Sequence, residues 1–536
     1  MKARLLPALL LTLAVSLTAC AANPGPPPVE DPEPVTSTSA AEPTQTTTPV
    51  SRADKVITVG VDPLPAGFHP HLLAHESHLT RSLAQLVLPS AFHGGAMNAD
   101  LLESASQVEP VPGVAQTISY VISPAAQWSD GTPITGADFR YLWQGMTNTP
   151  GVSNPAGYQA ISEIRTSADG RTVDVDLHTF VSDWRSLFNH LVPSHLLQND
   201  VSRFATALSD GIPASGGRYM VRAVDRARGI VTLHRNDRFW GADPAETDRV
   251  IFREVRGVTQ GVEQLRSGQI DFLDTIPTET SVDSYRLMRD TQVRLVDQPR
   301  ELTLTLSTTS ALLAEQPVRA ELHSLLDVPL IARLAAGRSA ELPVPGHLDA
   351  RGLDEGAPAL LPGLTGEEGR PLRIGVDPTD DSALSAARTI VDLLSHFEVR
   401  AEMVTADLRA LTAEHLPAGD DGGVDAVIAW QHTGGASLGL AGRWLCPPAP
   451  DSPRAGNLSG YCAEDTQTMA EALITGEATV AEGEAFFAAV NDREHVVVPL
   501  LGERRVLVLG AGIVGPDPDL ENWTAGISTV ASWRKQ

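Results

Sequence analysis

Apolar and polar residues alternate in two short stretches whose letters are nearly the same. ITVGVDP covers residues 57–63, and LRIGVDP covers residues 372–378. Alternation with a period of two predicts a strand with one buried face. No longer similarity joins the two halves of the chain, so the echo indicates two separately opened sheets and not an internal repeat.

The pattern after the second stretch changes to helical spacing. Apolar residues recur there at Leu384, Ala387, Ile390, Val391, Leu394 and Phe397. Residues 399–405 alternate again and predict another strand. A strand, a helix and a strand in this order imply a parallel sheet. A helix-like stretch also follows the first strand, over residues 75–88, so each half predicts its own α/β sheet.

Local signals predict further elements between these two stretches. Thr135 and Asp138 have capping-box spacing and predict the start of a helix over 136–146. Residues 216–236 predict a hairpin that turns near Gly229.

The segment before the second sheet is predicted to be helical and then irregular. Residues 318–335 predict two helices, the second capped by Asp327. Residues 356–371, GAPALLPGLTGEEGRP, predict a loop.

The N-terminus has the pattern of a lipoprotein signal peptide. Two basic residues precede the apolar run LLPALLLTLAVSL, and LTAC ends at Cys20. Because the run is shorter than the roughly 20 residues of a membrane span, residues 1–20 predict a cleaved signal and a lipidated Cys20. Residues 21–51 are rich in Pro and Thr and predict a disordered tether. We therefore expect an anchor on the outer face of the cell membrane.

Composition excludes one class of partner. The net charge is −26, and only three Lys occur among 536 residues. Nucleic-acid binding needs clustered basic residues that neutralise phosphates, so we expect no nucleic-acid partner. The chain is also longer than the about 250–300 residues at which a single core stops growing, so it is long enough to form more than one core.

Two cysteines remain once Cys20 is lipidated, namely Cys446 and Cys462. Outside the cytoplasm such a pair predicts a disulfide. The alternative is a metal site with two thiolates, but the sequence near the pair offers no His partners. We therefore predict the disulfide and no metal.

Two short sequence motifs known from enzymes lack the neighbouring elements that their chemistry needs. Residues 510–515 read GxGxxG, but PDPDL follows where a dinucleotide site needs a helix. Residues 435–439 read GxSxG, but the segment after them is a poor helix, and His495 is the only later His. We predict no enzymatic activity and no cofactor.

A third candidate is the group of four histidines His69, His71, His75 and His78. Two of them, four residues apart, could share a helix face as metal ligands. No carboxylate or Cys completes an evident site, so we interpret all four as surface or loop residues.

Longer motifs identify a family. WSDGTPITGADFRYLW resembles the motif in which extracytoplasmic solute-binding proteins of the peptide/nickel type open a helix after an acidic-Gly turn. GGRYMVRAVD, VEQLRSGQIDFLD, PVRAELHSLLD, NLSGYC and HVVVPLLGERRVLV follow in the family's order. Together these motifs span nearly all of residues 56–536.

The resemblance implies a two-lobed α/β fold of the periplasmic-binding-protein type II, with a hinge and a central cleft. We expect lobe I over residues 52–300, with 496–536 returning to it, and lobe II over residues 301–495. A ligand that touches both lobes would bind the closed state better and shift the population toward it.

The resemblance also points to ligand-binding residues. Peptide binders of this family carry, after a strand that ends in Gly-Trp, an Asp that pairs with the peptide ammonium. Here Trp430 fills the Trp position, but Thr433 stands where the Asp is expected. We expect Trp430 to stack on a sugar or an apolar group, or else to be a core or hinge residue. Gln431, His432 and Thr433 are candidate polar contacts.

Two weaker candidates lie beside the cysteine loop, Arg443 and Trp444. Because an ammonium would lack its carboxylate at Thr433, ordinary peptide recognition is in doubt.

The function implied is a membrane-anchored lipoprotein that binds a peptide or glycolipid-type ligand and acts as a monomer. In the first alternative it delivers the ligand to an ABC permease. Other details, including FHPHLLAHESHLTRSLAQLVLPSAF, are similar to actinobacterial lipoproteins of the family linked to mannosylated phosphatidylinositol lipids and lipomannan. In that second alternative the protein does not transport and its partner is a membrane mannosyltransferase.

Overall fold

The computed structural model describes residues 55–197, 201–345, 359–367, 369–418, 422–433, 436–515 and 520–535. The predicted signal peptide, its Cys20 and the predicted tether over 21–51 lie outside the described residues. Within them, no helix combines the length and the apolar character that crossing a membrane requires.

In the described residues the strands are β1 Val56–Val61, β2 Phe92–His93, β3 Ala96–Met97, β4 Leu102–Val108, β5 Gln116–Ile122, β6 Ile161–Thr166, β7 Thr172–Leu177, β8 Tyr219–Asp225, β9 Ile230–Arg235, β10 Arg249–Glu254, β11 Phe272–Thr275, β12 Gln292–Leu306, β13 Leu372–Val376, β14 Ala401–Thr405, β15 Ala426–His432, β16 Val497–Leu509, β17 Ile513–Val514 and β18 Arg534–Lys535.

The α-helices of the same residues are α1 His78–Val87, α2 Gly136–Asn148, α3 Ala156–Gln159, α4 Ser194–Leu197, α5 Val258–Arg266, α6 Ser281–Arg286, α7 Gln316–Ser324, α8 Val328–Ala336, α9 Leu360–Thr365, α10 Asp381–Ser395, α11 Leu408–Ala410, α12 Ser437–Gly442, α13 Glu464–Thr475 and α14 Val480–Glu494. Short 3-10 turns lie at Leu73–His75, Trp184–Ser186, Val201–Thr206 and Leu520–Ser532, and a π-helical turn at Leu411–His415 follows α11.

One sheet, ten-stranded in the described part of the chain, runs in the order β14-β13-β15-β12-β16-β11-β1-β10-β9-β8. The expectation of two separate sheets is therefore wrong, because both echoed strands, β1 and β13, belong to this one sheet. Two long antiparallel strands, β12 and β16, join the two halves. Each half keeps the predicted parallel pairing, β1 beside β10 and β11, and β13 beside β14 and β15.

The joining strands change register in the middle. Residues up to Asp297 of β12 pair with the end of β16 that also pairs with β11, and residues from Glu301 pair with the beginning of β16. The register shifts between these two residues and again between Leu302 and Thr303. An irregularity of this kind bends the strand locally.

A second, antiparallel sheet in the order β4-β5-β7-β6 stands beside the β1 half. The helix α2 packs against it and begins with the predicted capping box: the Thr135 amide donates to Asp138 Oδ2 at 2.9 Å, and the Ala137 amide donates to Thr135 Oγ1 at 3.3 Å. The predicted hairpin is confirmed as β8 and β9, with Gly229 in the left-handed region at φ 63°.

The β13 half buries its own core. Ile374, Ile390 and Leu394 pack together between β13 and α10, which confirms the predicted strand–helix–strand unit. The predicted helices α7 and α8 are also present, and Asp327 accepts a hydrogen bond from the Leu330 amide at 3.0 Å as the cap of α8.

The loop expected over 356–371 contains one helix, α9, that the sequence did not predict. Its first amides have a distant partner, since the Ala359, Leu360 and Leu361 N–H groups donate to the Glu321 carboxylate of α7 at 2.6–3.1 Å. A carboxylate at a helix N-terminus satisfies free amides and favours the helix dipole. The helix is therefore stabilised by a contact that lies about forty residues away in the chain.

Candidate functional site

A cavity of about 560 Å³ opens where β15 ends. Its floor is formed by β12, β15 and β16, and its walls are formed by α12, α14 and the segment that follows α12. The lining of this cavity includes Glu301, Thr303, Thr305, Gln431, Thr433, Arg443, Trp444, Ser459, Glu484 and Phe487.

Strand alternation decides which predicted residues reach this cavity. Successive side chains of a strand point to opposite faces, so Gln431 and Thr433 lie in the cavity while Trp430 lines a different one. Gln431 Nε2 donates to Thr303 Oγ1 at 2.9 Å and to Thr305 Oγ1 at 2.8 Å. Its carboxamide is thus held in place by two hydroxyls of the neighbouring strand.

The remaining predicted residues divide in the same way. Arg443 and Trp444 line the 560 Å³ cavity with Gln431 and Thr433. His432 is absent from that lining; burial lowers its pKa, and the charge of Glu76 opposes this effect. The structure therefore brings together four of the six predicted contacts and sets Trp430 and His432 apart.

A carboxylate that the sequence did not point to stands beside Thr433. Glu301 lies on β12 opposite Gln431 and lines the same cavity. Burial raises the pKa of Glu301, and the nearby Arg443 guanidinium opposes this shift. The cavity therefore contains carboxyl groups, Glu301, Glu484 and Asp492, although Thr433 stands where the resemblance led us to expect an Asp.

Arg443 lies near both Glu301 and Glu484 in this cavity. Burial lowers the pKa of its guanidinium, whereas Glu301 and Glu484 raise it. Its Nε is buried and has no hydrogen-bond partner among the described residues. Arg443 thus places a cation beside two carboxylates in the cavity.

An aromatic wall closes one side. The Trp444 and Phe487 rings are parallel within 2°, with centroids 4.8 Å apart. Trp444 is only 8% exposed, and the edge of Tyr461 approaches it at 6.4 Å between centroids. This wall offers a rigid apolar surface beside the polar floor.

The disulfide loop holds this wall. Cys446 and Cys462 are bonded to each other in the structure. Inside the loop, Asn457 Nδ2 donates to the carbonyl oxygens of Leu445 and Tyr461, each at 2.9 Å. The chain on either side of the bridge is thereby tied together next to the cavity.

A second cavity, of about 160 Å³, lies on the opposite face of β15. It is lined by Trp430 and by charged residues of three elements, including Glu76, Arg300, Glu503 and Arg505. The Arg300 guanidinium carbon lies 5.4 Å from the centroid of the Trp430 ring. Trp430 is therefore engaged by a cation of the protein itself.

The four N-terminal histidines do not form a metal centre. His69, His71 and His75 lie in loop or 3-10 segments as expected, but they are buried and not on the surface. His78 is not a loop residue either, because it begins α1, and its Nε2 lies 2.8 Å from Asp274 Oδ2. Among the described residues, no group of three or more His, Cys, Asp or Glu side chains is placed to hold a metal ion.

The structure also shows where the two enzyme-like sequence motifs lie. Gly510 directly follows β16, its amide donates to the Asp271 carbonyl, and β17 rather than a helix comes next. Ser437 begins α12, a helix of six residues, and part of this motif lies outside the described residues.

Comparison with known proteins agrees with this architecture. Residues 105–350 match the family of bacterial extracellular solute-binding proteins, family 5 middle. The chain is similar to the probable monoacyl phosphatidylinositol tetramannoside-binding protein LpqW of Mycobacterium tuberculosis, with 26% identity over 94% of each chain.

Two solved structures resemble the whole described fold. The periplasmic EDTA-binding protein EppA has a TM-score of 0.63 and 19% identity, over 90% of this chain and 98% of EppA. The oligopeptide-binding protein AppA of Bacillus subtilis, in complex with a nonapeptide, has a TM-score of 0.66 and 13% identity, over 90% of this chain and 99% of AppA.

These likenesses confirm the expected two-lobed type II fold, and β12 and β16 join the two halves of its large sheet. By sequence and fold the chain is similar to the family 5 solute-binding proteins, whose model matches residues 105–350.

Proposed function

We propose that this protein is a membrane-anchored extracytoplasmic lipoprotein that binds a hydroxyl-rich head group of a glycolipid in the 560 Å³ cavity. The observation that carries the proposal is the similarity to LpqW over 94% of both chains. The name of that relative describes it as a probable binder of a mannosylated phosphatidylinositol. The predicted signal peptide and Cys20 support the anchor.

The chemistry of the cavity suits sugars. Sugar hydroxyls both donate and accept, so they can pair with the Glu301 carboxylate and the Gln431 carboxamide oxygen. A sugar ring also has an apolar face, which can lie against the aromatic wall of Trp444 and Phe487. The cavity thus offers both kinds of contact to one ligand.

A free peptide fits less well. Its ammonium group would need an unpaired carboxylate after losing water. Thr433 supplies none, and Arg443 already opposes the charges of Glu301 and Glu484, which leaves Asp492 as the carboxylate in the lining outside this group. Extended peptides should therefore bind weakly, and delivery of peptides to a permease is the second candidate function. EppA is named for binding EDTA and AppA was solved with a nonapeptide, so the fold alone does not decide the class of ligand.

Isothermal titration calorimetry tests the proposal. A mannosylated inositol phosphate, the head group without its lipid, should bind to the purified protein, and Glu301→Gln should weaken binding at least tenfold. Glu402→Gln is the matched control, because Glu402 lies on the edge strand β14 with half of its side chain exposed. Submicromolar binding of tripeptides to pentapeptides, dependent on a free N-terminus, would favour the peptide importer instead.

A further inference from the structure

Buried charges gather where the two joining strands change register. Arg300 lies at the break in β12 and Glu503 faces it on β16, with side chains 7% and 3% exposed. Arg300 Nη1 lies 2.8 Å from Glu503 Oε2. The pair therefore sits at the position where the sheet passes from one lobe to the other.

Arg300 also reaches beyond its own strand. Its Nη2 donates to the Glu76 carbonyl at 2.9 Å, and its Nε lies 3.5 Å from Glu76 Oε1. Glu76 belongs to the loop between β1 and α1, whereas the Trp430 ring under the guanidinium belongs to β15. One side chain thus touches the β1 half, the joining strands and the β15 half.

A second arginine, Arg505, extends this group of buried charged residues into the β1 half. Arg505 Nη1 lies 3.1 Å from Glu503 Oε1, and its Nη2 lies 2.7 Å from Asp62 Oδ2. Arg505 also pairs with the buried Asp274, which in turn contacts His78. Burial alone would raise the pKa of Glu503, but Arg300 and Arg505 lower it to about 2. Glu503 is therefore ionised and binds both arginines.

We propose that Arg300 is the centre of an electrostatic latch that holds the lobes together and thereby sets the ligand affinity of the cavity on the other face of β15. In the open state Arg300 separates from Glu76 and Trp430 but keeps Glu503, its neighbour on the paired strand. Buried ion pairs gain little net free energy over hydrated charges. The latch is therefore breakable, and a ligand that favours closure can shift the equilibrium.

The register of the strands couples the latch to the cavity. Arg300 pairs with His432, and the next residue, Glu301, pairs with Gln431. Arg300 faces the latch and Glu301 faces the cavity, so a movement of this strand pair displaces both. Ligand contacts and lobe closure are thus made by adjacent residues of the same two strands.

The structure contains a matched control on β16, one residue from Glu503. Arg504 lies between Glu503 and Arg505, points to the opposite face and pairs there with Asp297 and Glu341 at 2.6–2.8 Å. Arg504→Met removes the same type of side chain as Arg300→Met, but from β16, the strand that pairs with β12. It should leave lobe closure unchanged, because none of its charged partners lies in the latch.

Small-angle X-ray scattering of the purified protein without added ligand tests the latch. Arg504→Met should give the same scattering as the wild type. Arg300→Met should have a larger radius of gyration, and Trp430 should move toward water and shift its fluorescence emission to longer wavelength. Glu76→Gln, which keeps the shape of the side chain, should cause a smaller change in the same direction.

The outcome is independent of the ligand's identity, since scattering needs no ligand. Thermal unfolding separates opening from misfolding: an opened Arg300→Met protein still unfolds in one cooperative transition. If Arg300→Met does not fold, Glu76→Gln decides the test. Wild-type scattering and Trp emission in the folded variants would show that the ion pairs are only structural, even if the proposed sugar ligand binds as expected.

Discussion

Lowering the pH should destabilise the protein through its buried histidines. His69, His71 and His190 lie against one another and against Phe204, with ring centroids 4.4–6.5 Å apart in the contacting pairs. Burial lowers the pKa of His71 to about 4 and that of His190 to about 3. The pKa of His69 is also lowered, first by burial and then by the charges of neighbouring histidines. All three are neutral in the folded protein at pH 7.

The magnitude follows from linkage. An unfolded His has a pKa of about 6.5, so between pH 6.5 and the folded pKa the unfolded chain binds more protons, and stability falls as the pH falls. From pH 7 to pH 5 the shift of His71 gives a loss of about 2 kcal/mol, and that of His190 a similar loss. The loss should begin near pH 6.5 and level off below the folded pKa values.

Urea unfolding followed by circular dichroism at pH 7, 6 and 5 measures this effect. The wild type should lose on the order of 4 kcal/mol across this range from His71 and His190 together. His71→Gln should lose about 2 kcal/mol less between the same pH values, because its own proton uptake is gone. The exposed His178 supplies the control, and His178→Gln should follow the wild-type pH dependence. Equal free energies of unfolding at pH 7 and pH 5 would refute the reasoning.

Three further results are expected. Cys20→Ala should release the protein from membranes or leave its signal uncleaved, and cell fractionation with an N-terminal mass measurement checks this. Thiol labelling of denatured, unreduced protein exported from cells should find no free thiol at Cys446 or Cys462; labelling of both would contradict the bridge. Asp425→Ala should lower the free energy of unfolding by about 3–5 kcal/mol, measured by urea titration, because this buried carboxylate accepts two 2.7 Å hydrogen bonds from Arg370; a change below 1 kcal/mol would contradict this role.

Local elements could be predicted from the sequence because their signals lie within a few residues. The capping box of Thr135 and Asp138 and the turn at Gly229 are such cases. The helix α9 could not, because the carboxylate that binds its first amides belongs to Glu321 on another helix. The single sheet was missed for a related reason: the long strands β12 and β16 pair over about two hundred residues of sequence.

The candidate site was predictable only in part. Motif similarity pointed to the end of β15, and four of the residues chosen there do share one cavity. Alternation along a strand already implied that Trp430 and Gln431 face opposite ways. Glu301 carries no sequence signal, since only the pairing of β12 with β15 brings it next to Gln431.

Native mass spectrometry of the protein purified from membranes of its own organism tests the central claim most directly. The spectrum should contain a complex whose added mass, on dissociation, yields fragments of hexose and inositol phosphate. Glu301→Gln should lose most of this complex, while Glu402→Gln should retain it. A co-purified peptide in the wild type, retained by both variants, would contradict the claim that the cavity binds a glycolipid head group.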